Sequence, residues 1–385
     1  MTSVVREPYG FVHADTSRLK EVYGGPSGQV FVECMRIRPA TGESKTVVLF
    51  SHPIGGGSFL PLVSALAAAG RHVIYCNPRY RGNDTALIME KCLLDLGACI
   101  ADLKQRFGYE KVVLGGWSGG GSLSLFYQDQ ATGPTIDETP GGDYVGLRTA
   151  KLQPADGVLL LAAHLSRSVT MTEWLDPSVL DETRPFERDR ALNIYDPDCP
   201  AQAPYEAEFV ARFREAQIAR NRRITAWVKG ELARLKASGE PDAERCFVVQ
   251  GTMCDVRWTD PTQDPSDRKP HTCYLGDPRI ANDGPVGLGR FTTLRSWLSQ
   301  WSYDESRAHG ERNAARVTCP ALVVNNTADL ACTPSHAARL FAALASADKE
   351  VVHIKDADHY YIERRDLLPK AVGAIGVWLD ARGFV

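Results

Sequence analysis

The stretch Lys111–Ser122, KVVLGGWSGGGS, limits what this chain can fold into more than any other. Val112–Leu114 is a short, β-branched run bounded by glycine, the pattern of a buried strand. Apolar residues at helical spacing follow from Leu123. Between them Gly116-Trp117-Ser118-Gly119-Gly120 fits G-x-S-x-G. The reason for that spacing is steric. A strand that bends sharply into a helix holds the apex residue in a strained conformation with its side chain pointing out, and small residues on either side let strand and helix approach. Ser118 is thereby predicted at the apex. The N–H of Gly119 is predicted at a helix N-terminus, where developing negative charge is stabilised.

The flanking sequence repeats the same unit. Thr46–Phe50 (TVVLF), His72–Cys76 (HVIYC), Gly157–Ala162 (GVLLLA), Pro320–Asn326 (PALVVNN) and Val351–Ile354 are apolar runs, and most are separated by helical patterns. Helices are predicted at Phe59–Ala69, at Ala86–Phe107, from the Ser118 turn to about Gln128, at Ser335–Ala345 and at Leu367–Arg382. Continuous apolar strands alternating with helices imply a largely parallel α/β sheet covered on both faces. Val30–Arg38 alternates and reads as an early antiparallel strand. Thr132–Gln153, with Gly133-Pro134 and Pro140-Gly141-Gly142, reads as a surface excursion.

The alternation breaks between His164 and about Val317. Pro, Asp, Arg and Trp rise there, and the clearest element is an Arg-rich amphipathic helix over Tyr205–Lys236, with Phe209, Phe213, Ile224, Trp227, Val228, Leu232 and Leu235 on one face. Leu294–Trp301 suggests another helix. Residues 164–316 are therefore expected to form a mainly helical cap, and residues 1–163 with 317–385 the α/β core. Trp174, Trp227, Trp258, Trp297 and Trp301 are expected in the cap's own core and in its packing on the sheet.

Composition excludes several classes. A chain of 385 residues, 44% hydrophobic and 24% charged, can bury a large core. A net charge of −3 without a Lys/Arg run gives no footprint for nucleic acid or an anionic membrane. The N-terminal MTSVVREPYGFVHADTSR lacks the basic-then-apolar layout of an export signal, and no segment reaches a membrane span, so a cytoplasmic location is expected. The ten cysteines are scattered without C-x-x-C, as expected of reduced thiols. The nine histidines show no metal-ligand spacing. No cofactor or metal is expected. The partner expected is a small-molecule substrate; a homodimer is left open, since the sequence is silent on oligomeric state.

A serine hydroxyl is a poor nucleophile at neutral pH. It needs a base within hydrogen-bond reach, and the base needs an acid. In a parallel sheet these groups must come from loops at the carboxyl ends of strands, on one rim. Asp329 follows the strand ending at Asn326, and His359 follows the strand ending at Ile354. Ser118…Asp329…His359 is the chain order that goes with a strand–turn–helix nucleophile. His164 also follows a strand but no acid accompanies it, so it is expected to line the pocket or pack. His353 and His336 fall within a strand and a helix. Asp356 and Asp358 lie too close to His359 in sequence to reach its ring from the far side. A second oxyanion donor is expected from Ser51-His52-Pro53-Ile54-Gly55-Gly56-Gly57. Pro53 has no N–H, so Ile54 is the choice and Gly55 the reserve. His52 is expected to brace the loop. Trp117, His52, Gly55, His164 and Trp174 are further pocket candidates, and Arg79 and Arg81 are expected either at its edge or in structural roles.

Taken together, the loop Ser51–Gly56, the loop Arg79–Asp84, the turn Gly116–Gly120, Thr327-Ala328-Asp329 with Pro334, and Ala357-Asp358-His359 resemble the α/β-hydrolase superfamily, over residues 46–163 and 317–385. The resemblance implies a mostly parallel eight-stranded sheet and a cap inserted after the sixth strand. Two departures stand out. Pro53 occupies a position where that superfamily usually has glycine, and the insertion is unusually long.

The reading that follows is a serine hydrolase acting on an ester, lactone or thioester through an acyl-enzyme. The same three residues also suit C–C bond hydrolysis or acyl transfer to another acceptor. A peptidase would need an acidic anchor for an N-terminal amine, for which Glu173, Asp176 and Asp255 are candidates. A binding protein that has lost catalysis is the alternative from a different class.

Overall fold

A computed structural model describes residues 3–15, 17–22 and 28–385. Residues 1, 2, 16 and 23–27, which belong to the expected N-terminal part of the core, lie outside the described residues. Among the described residues the sheet has eight strands: β1 (Val4–Ala14), β2 (Gln29–Pro39), β3 (Thr46–Ser51), β4 (Val73–Asn77), β5 (Lys111–Trp117), β6 (Gly157–Leu161), and, after the long insertion with its own two-stranded ribbon β7 (Cys246–Val248) and β8 (Phe291–Thr293), β9 (Ala321–Asn326) and β10 (Lys349–Ile354). Their order is β1-β2-β4-β3-β5-β6-β9-β10. β2 runs antiparallel to both neighbours, and every other adjacent pair is parallel.

The continuous apolar strands are explained by the two faces they serve. Val47, Leu49, Val112 and Leu114 point into a core shared with the helix α2 (Met89–Phe107) and with Leu340, whereas Val48, Phe50 and Val113 point into the opposite core, formed with α1 (Pro61–Ala68) and the C-terminal helix Leu368–Ala381. Successive strand residues face opposite sides, so a strand buried on both must be apolar throughout. α2 starts at Met89, three residues later than its sequence pattern suggests: Ile88 is extended, the Leu87 carbonyl accepts from the Ser296 hydroxyl at 2.9 Å, and the Met89 N–H donates to the Ser299 hydroxyl at 2.8 Å.

The insertion follows the sixth strand, as the resemblance implied. It carries α4 (Arg167–Trp174), α5 (Ala207–Ala237), several shorter helices and the ribbon. Leu294–Trp301 is a short α-helical turn that widens into a π-helical one at Trp297. Ile224, Val228 and Leu232 of α5 pack with Trp297 and Trp301 in a core of the insertion's own. Trp174 and Trp258 instead pack against Ala331 and Cys332 of the sheet's loops, at the seam. Trp227, expected on the buried face of α5, is exposed and meets Phe247 edge-on. No helix among the described residues is long and apolar enough to cross a membrane.

Candidate active site

β5 runs on through Gly115–Trp117, and the helix α3 (Gly119–Thr132) starts two residues later. Ser118, between them, sits at φ 53°, ψ −123°, a conformation L side chains rarely adopt. Such strain persists only where the surroundings impose it, and here they are crowded. A side chain at Gly120 would collide with the Ser51 carbonyl, and one at Gly116 would meet the Gly120 carbonyl at 2.7 Å. The two small positions of G-x-S-x-G are thus the points where strand and helix backbones touch.

Asp329 and His359 come together at the carboxyl ends of β9 and β10. Asp329 is fully buried after β9, and His359 is buried after β10. His359 Nδ1 lies 2.6 Å from Asp329 Oδ2. The other carboxylate oxygen accepts the amides of Ala331 (2.7 Å) and Cys332 (2.9 Å), so the acid is held on both sides. The two loops are joined directly, Ala328 N–H to Ala357 carbonyl at 3.0 Å. Asp358 is occupied in its own turn, accepting the amides of Tyr360, Ile362, Glu363 and Arg364. Trp117 packs on the His359 ring, centroids 4.5 Å apart.

Ser118 and His359 line one cavity of about 460 Å3. His52, Ile54, Gly55, Trp117, His164 and Trp174 line it as well, whereas Arg79 and Arg81 do not. The insertion adds Arg167, Thr170, Tyr274 and Val286–Gly289. None of these carried a recognisable pattern. No hydrogen bond joins the Ser118 hydroxyl to His359 in this arrangement; its neighbour is the Cys332 thiol. Burial, reinforced by the Asp329 carboxylate, pushes that thiol well above its ordinary pKa, so it remains protonated and does not compete as a nucleophile.

Other expectations resolve differently. Arg79 is buried away from the cavity, paired with Asp95 at 2.6 Å and Asp15 at 2.7 Å, and Arg81 pairs with Glu33 at the surface. The proposed amine anchors are all committed: Glu173 to Arg257 and His336, Asp255 to Arg257 and Arg214, Asp176 to Asn282 and Arg188. Ile54 and Gly55 line the cavity, but their amides are turned inward. The Ile54 N–H donates to His52 Nδ1 at 3.3 Å, and the Gly55 N–H to the His52 carbonyl at 2.8 Å. The Gly119 N–H, at the start of α3, has no such partner among the described residues.

Two clusters have metal-ligand proximity among the described residues. One is Cys34, Cys76 and Cys99 inside the core; the other is Asp329, Cys332 and His359 itself. The second includes the hydrogen-bonded pair just described, whose short contact occupies the atoms an ion would need. All ten cysteines are unpaired thiols, and the Cys34 and Cys99 sulfurs stand 3.9 Å apart.

No protein-family model and no curated protein matches this sequence. Solved structures do resemble it. A hypothetical protein, PA2218, from Pseudomonas aeruginosa aligns over 97% of this chain and 94% of its own at 12% identity, with a TM-score of 0.50. Est1E from Butyrivibrio proteoclasticus aligns over 91% and 96% at 11% identity and TM-score 0.47. A monoacylglycerol lipase from Paleococcus ferrophilus aligns over 97% and 98% at 16% identity and TM-score 0.44. With eight strands in the order above, a sharp serine turn between β5 and α3, and a long insertion after the sixth strand, the chain has the fold of the α/β-hydrolase superfamily.

Proposed function

We propose that the protein is a serine hydrolase that cleaves a carboxylic ester, lactone or thioester through an acyl-enzyme. The observation that carries this reading is the buried 2.6 Å Asp329–His359 pair set against the same cavity as a strained, outward-pointing Ser118. Turning the Ser118 side chain from Cys332 toward His359 brings the hydroxyl to its base. The oxygen then attacks the substrate carbonyl carbon as its proton passes to His359 Nε2. Asp329 holds the Nδ1 proton and stabilises the imidazolium. The negative oxygen of the tetrahedral intermediate lies against the Gly119 N–H at the head of α3. On collapse the alcohol or thiol leaves with the proton from His359. Water, deprotonated by the same imidazole, attacks the acyl carbon, and the acid departs as Ser118 regains its proton.

The paired state of Glu173, Asp176 and Asp255 favours this over an aminopeptidase, since none is free to bind an ammonium. A fluorophosphonate probe tests the reading, followed by p-nitrophenyl esters of graded acyl length. The wild type should label and turn over ester, and Ser118→Ala should do neither. A folded wild type that resists labelling and hydrolyses none of the esters overturns it.

A further inference from the structure

The oxyanion site implied by the proposed reaction lacks its usual second backbone donor. From Pro53 to Gly56 no main-chain N–H is left over. Pro53 has no N–H, the Ile54 N–H goes to His52 Nδ1 at 3.3 Å, the Gly55 N–H to the His52 carbonyl at 2.8 Å, and the Gly56 N–H to Asn77 Oδ1 at 2.7 Å. One backbone donor beside Ser118 is a poor match for a full negative charge.

The loop nevertheless offers a donor. A ring nitrogen can accept an N–H only if it carries no proton itself, so the bond from Ile54 leaves His52 Nδ1 bare and puts the proton of the neutral ring on Nε2. That Nε2 has no partner among the described residues and sits at the cavity wall beside the residue that follows Ser118. A Cβ at position 119 would meet His52 Nε2 at 2.8 Å. Glycine at 119 therefore does more than ease the turn. It leaves room for an imidazole where a side chain would otherwise stand.

We propose that His52 is a catalytic residue: its Nε2–H is the second oxyanion donor, acting with the Gly119 N–H on the carbonyl oxygen of the substrate. This rests on the serine-hydrolase reading above. The tautomer that does so is held locally. Enclosure of the ring, with Arg167 and His359 nearby, pushes the His52 pKa down to about 3, so the ring is neutral and Nδ1 keeps its bond to Ile54 at working pH. The protein would thus deliver by a side chain what a backbone amide delivers where glycine follows the loop histidine, and Pro53 would be tolerated for that reason. His164 is the neighbouring imidazole, with Nε2 at 3.3 Å from the same Cβ position. Its Nδ1 is buried without a partner, so nothing fixes which of its nitrogens holds the proton.

The test compares His52→Phe, which removes both ring nitrogens, with His52→Gln, whose amide can accept from Ile54 and donate into the cavity. His52→Phe should lower kcat on a p-nitrophenyl ester, and the second-order rate of fluorophosphonate labelling, by about 100-fold or more, with KM changed less than about threefold. His52→Gln should recover at least tenfold of that loss. In the wild type, a trifluoromethyl ketone that adds to Ser118 should move the His52 Nε2–H proton resonance downfield. If His52→Phe folds and keeps activity within about threefold, or if the resonance does not move on adduct formation, His52 is not the donor. Should the phenylalanine variant fail to fold, the resonance and the glutamine variant decide. Failure of the underlying reading looks different: the wild type itself would not label, whereas a wild type that labels at Ser118 with an indifferent His52 removes this inference alone.

Discussion

Asp329 serves His359 with one carboxylate oxygen, Oδ2 to Nδ1 at 2.6 Å, while its other oxygen is fastened to the amides of Ala331 and Cys332. A carboxylate held this way is fixed in orientation, so it selects one imidazole tautomer. Nδ1 bears the proton and Nε2 is bare toward the cavity. Asp329→Asn keeps the size and one acceptor but can present an N–H to Nδ1, which reverses the tautomer. On the proposed mechanism kcat on an aryl ester should fall about 1,000- to 10,000-fold with little change in thermal midpoint. Steady-state kinetics beside a melting curve checks both halves, and a variant within tenfold of wild type would mean that another acid orients the ring.

How much of this was legible beforehand follows from what a sequence encodes locally. Ser118, Asp329 and His359 could be read because a parallel sheet delivers the ends of its strands to one rim, so three loops far apart in the chain are placed by topology alone. β1 could not be read. VVREPYGFVHA contains Pro8 and Gly10 and has no clean alternation, and it forms an edge strand whose pairing with β2 sets its course. The insertion was legible as an interruption, and its long helix over Tyr205–Lys236 and the helical stretch Leu294–Trp301 were legible within it, but the ties between its segments were not. Its polar groups are satisfied over long range, as when Gln217 reaches the carbonyls of Glu173, Leu175 and Cys254. Arg167 belongs to the same class. It reaches the cavity only because Asp84, Gln300 and the Trp301 ring hold it there. The inward turn of the Ile54 and Gly55 amides is a matter of loop geometry that residue order does not set.

Arg257 ties the insertion to the loop that carries Asp329. Its guanidinium reaches Glu173 Oε2 at 2.6 Å, Asp255 Oδ2 at 2.5 Å and the Thr333 hydroxyl at 3.1 Å. His336 Nε2 stands 3.1 Å from the same Glu173 oxygen. Burial works to raise the Glu173 and Asp255 pKa values, yet the neighbouring cations hold both below the ordinary carboxylate range. Removing the cation leaves two enclosed carboxylates with too little positive charge. Arg257→Met should therefore cost about 3–5 kcal/mol in urea unfolding. Replacing the acids and Arg214 too, in Glu173→Gln/Asp255→Asn/Arg257→Met/Arg214→Met, should recover most of the loss, because the enclosed carboxylates and the cation that Asp255 would leave unpaired are removed together. Equal destabilisation of the single and the fourfold variant would show that packing of the arginine stem, not its charge, holds the seam.

The acid sensitivity of the fold should be traceable to His164. Burial, with His336, Arg167, His52 and His359 close by, drives its pKa well below the ordinary histidine value, and its Nδ1 has no partner. A group whose folded-state pKa is depressed binds fewer protons folded than unfolded below pH 6.5, so its neutral form adds full stability above that pH and loses it as the pH falls. At pH 5 the loss reaches up to about 2 kcal/mol for such a histidine. His52, with its pKa pushed down to about 3, contributes with the same sign. His164→Gln cannot be protonated. Its unfolding free energy should fall less steeply than that of the wild type between pH 7 and pH 5, whatever the offset between them at pH 7. Denaturant melts at four or five pH values across that window give the slopes directly. Parallel lines would mean that the His164 site admits the proton, by opening to water or by relaxing against His336, and that the acid lability originates elsewhere.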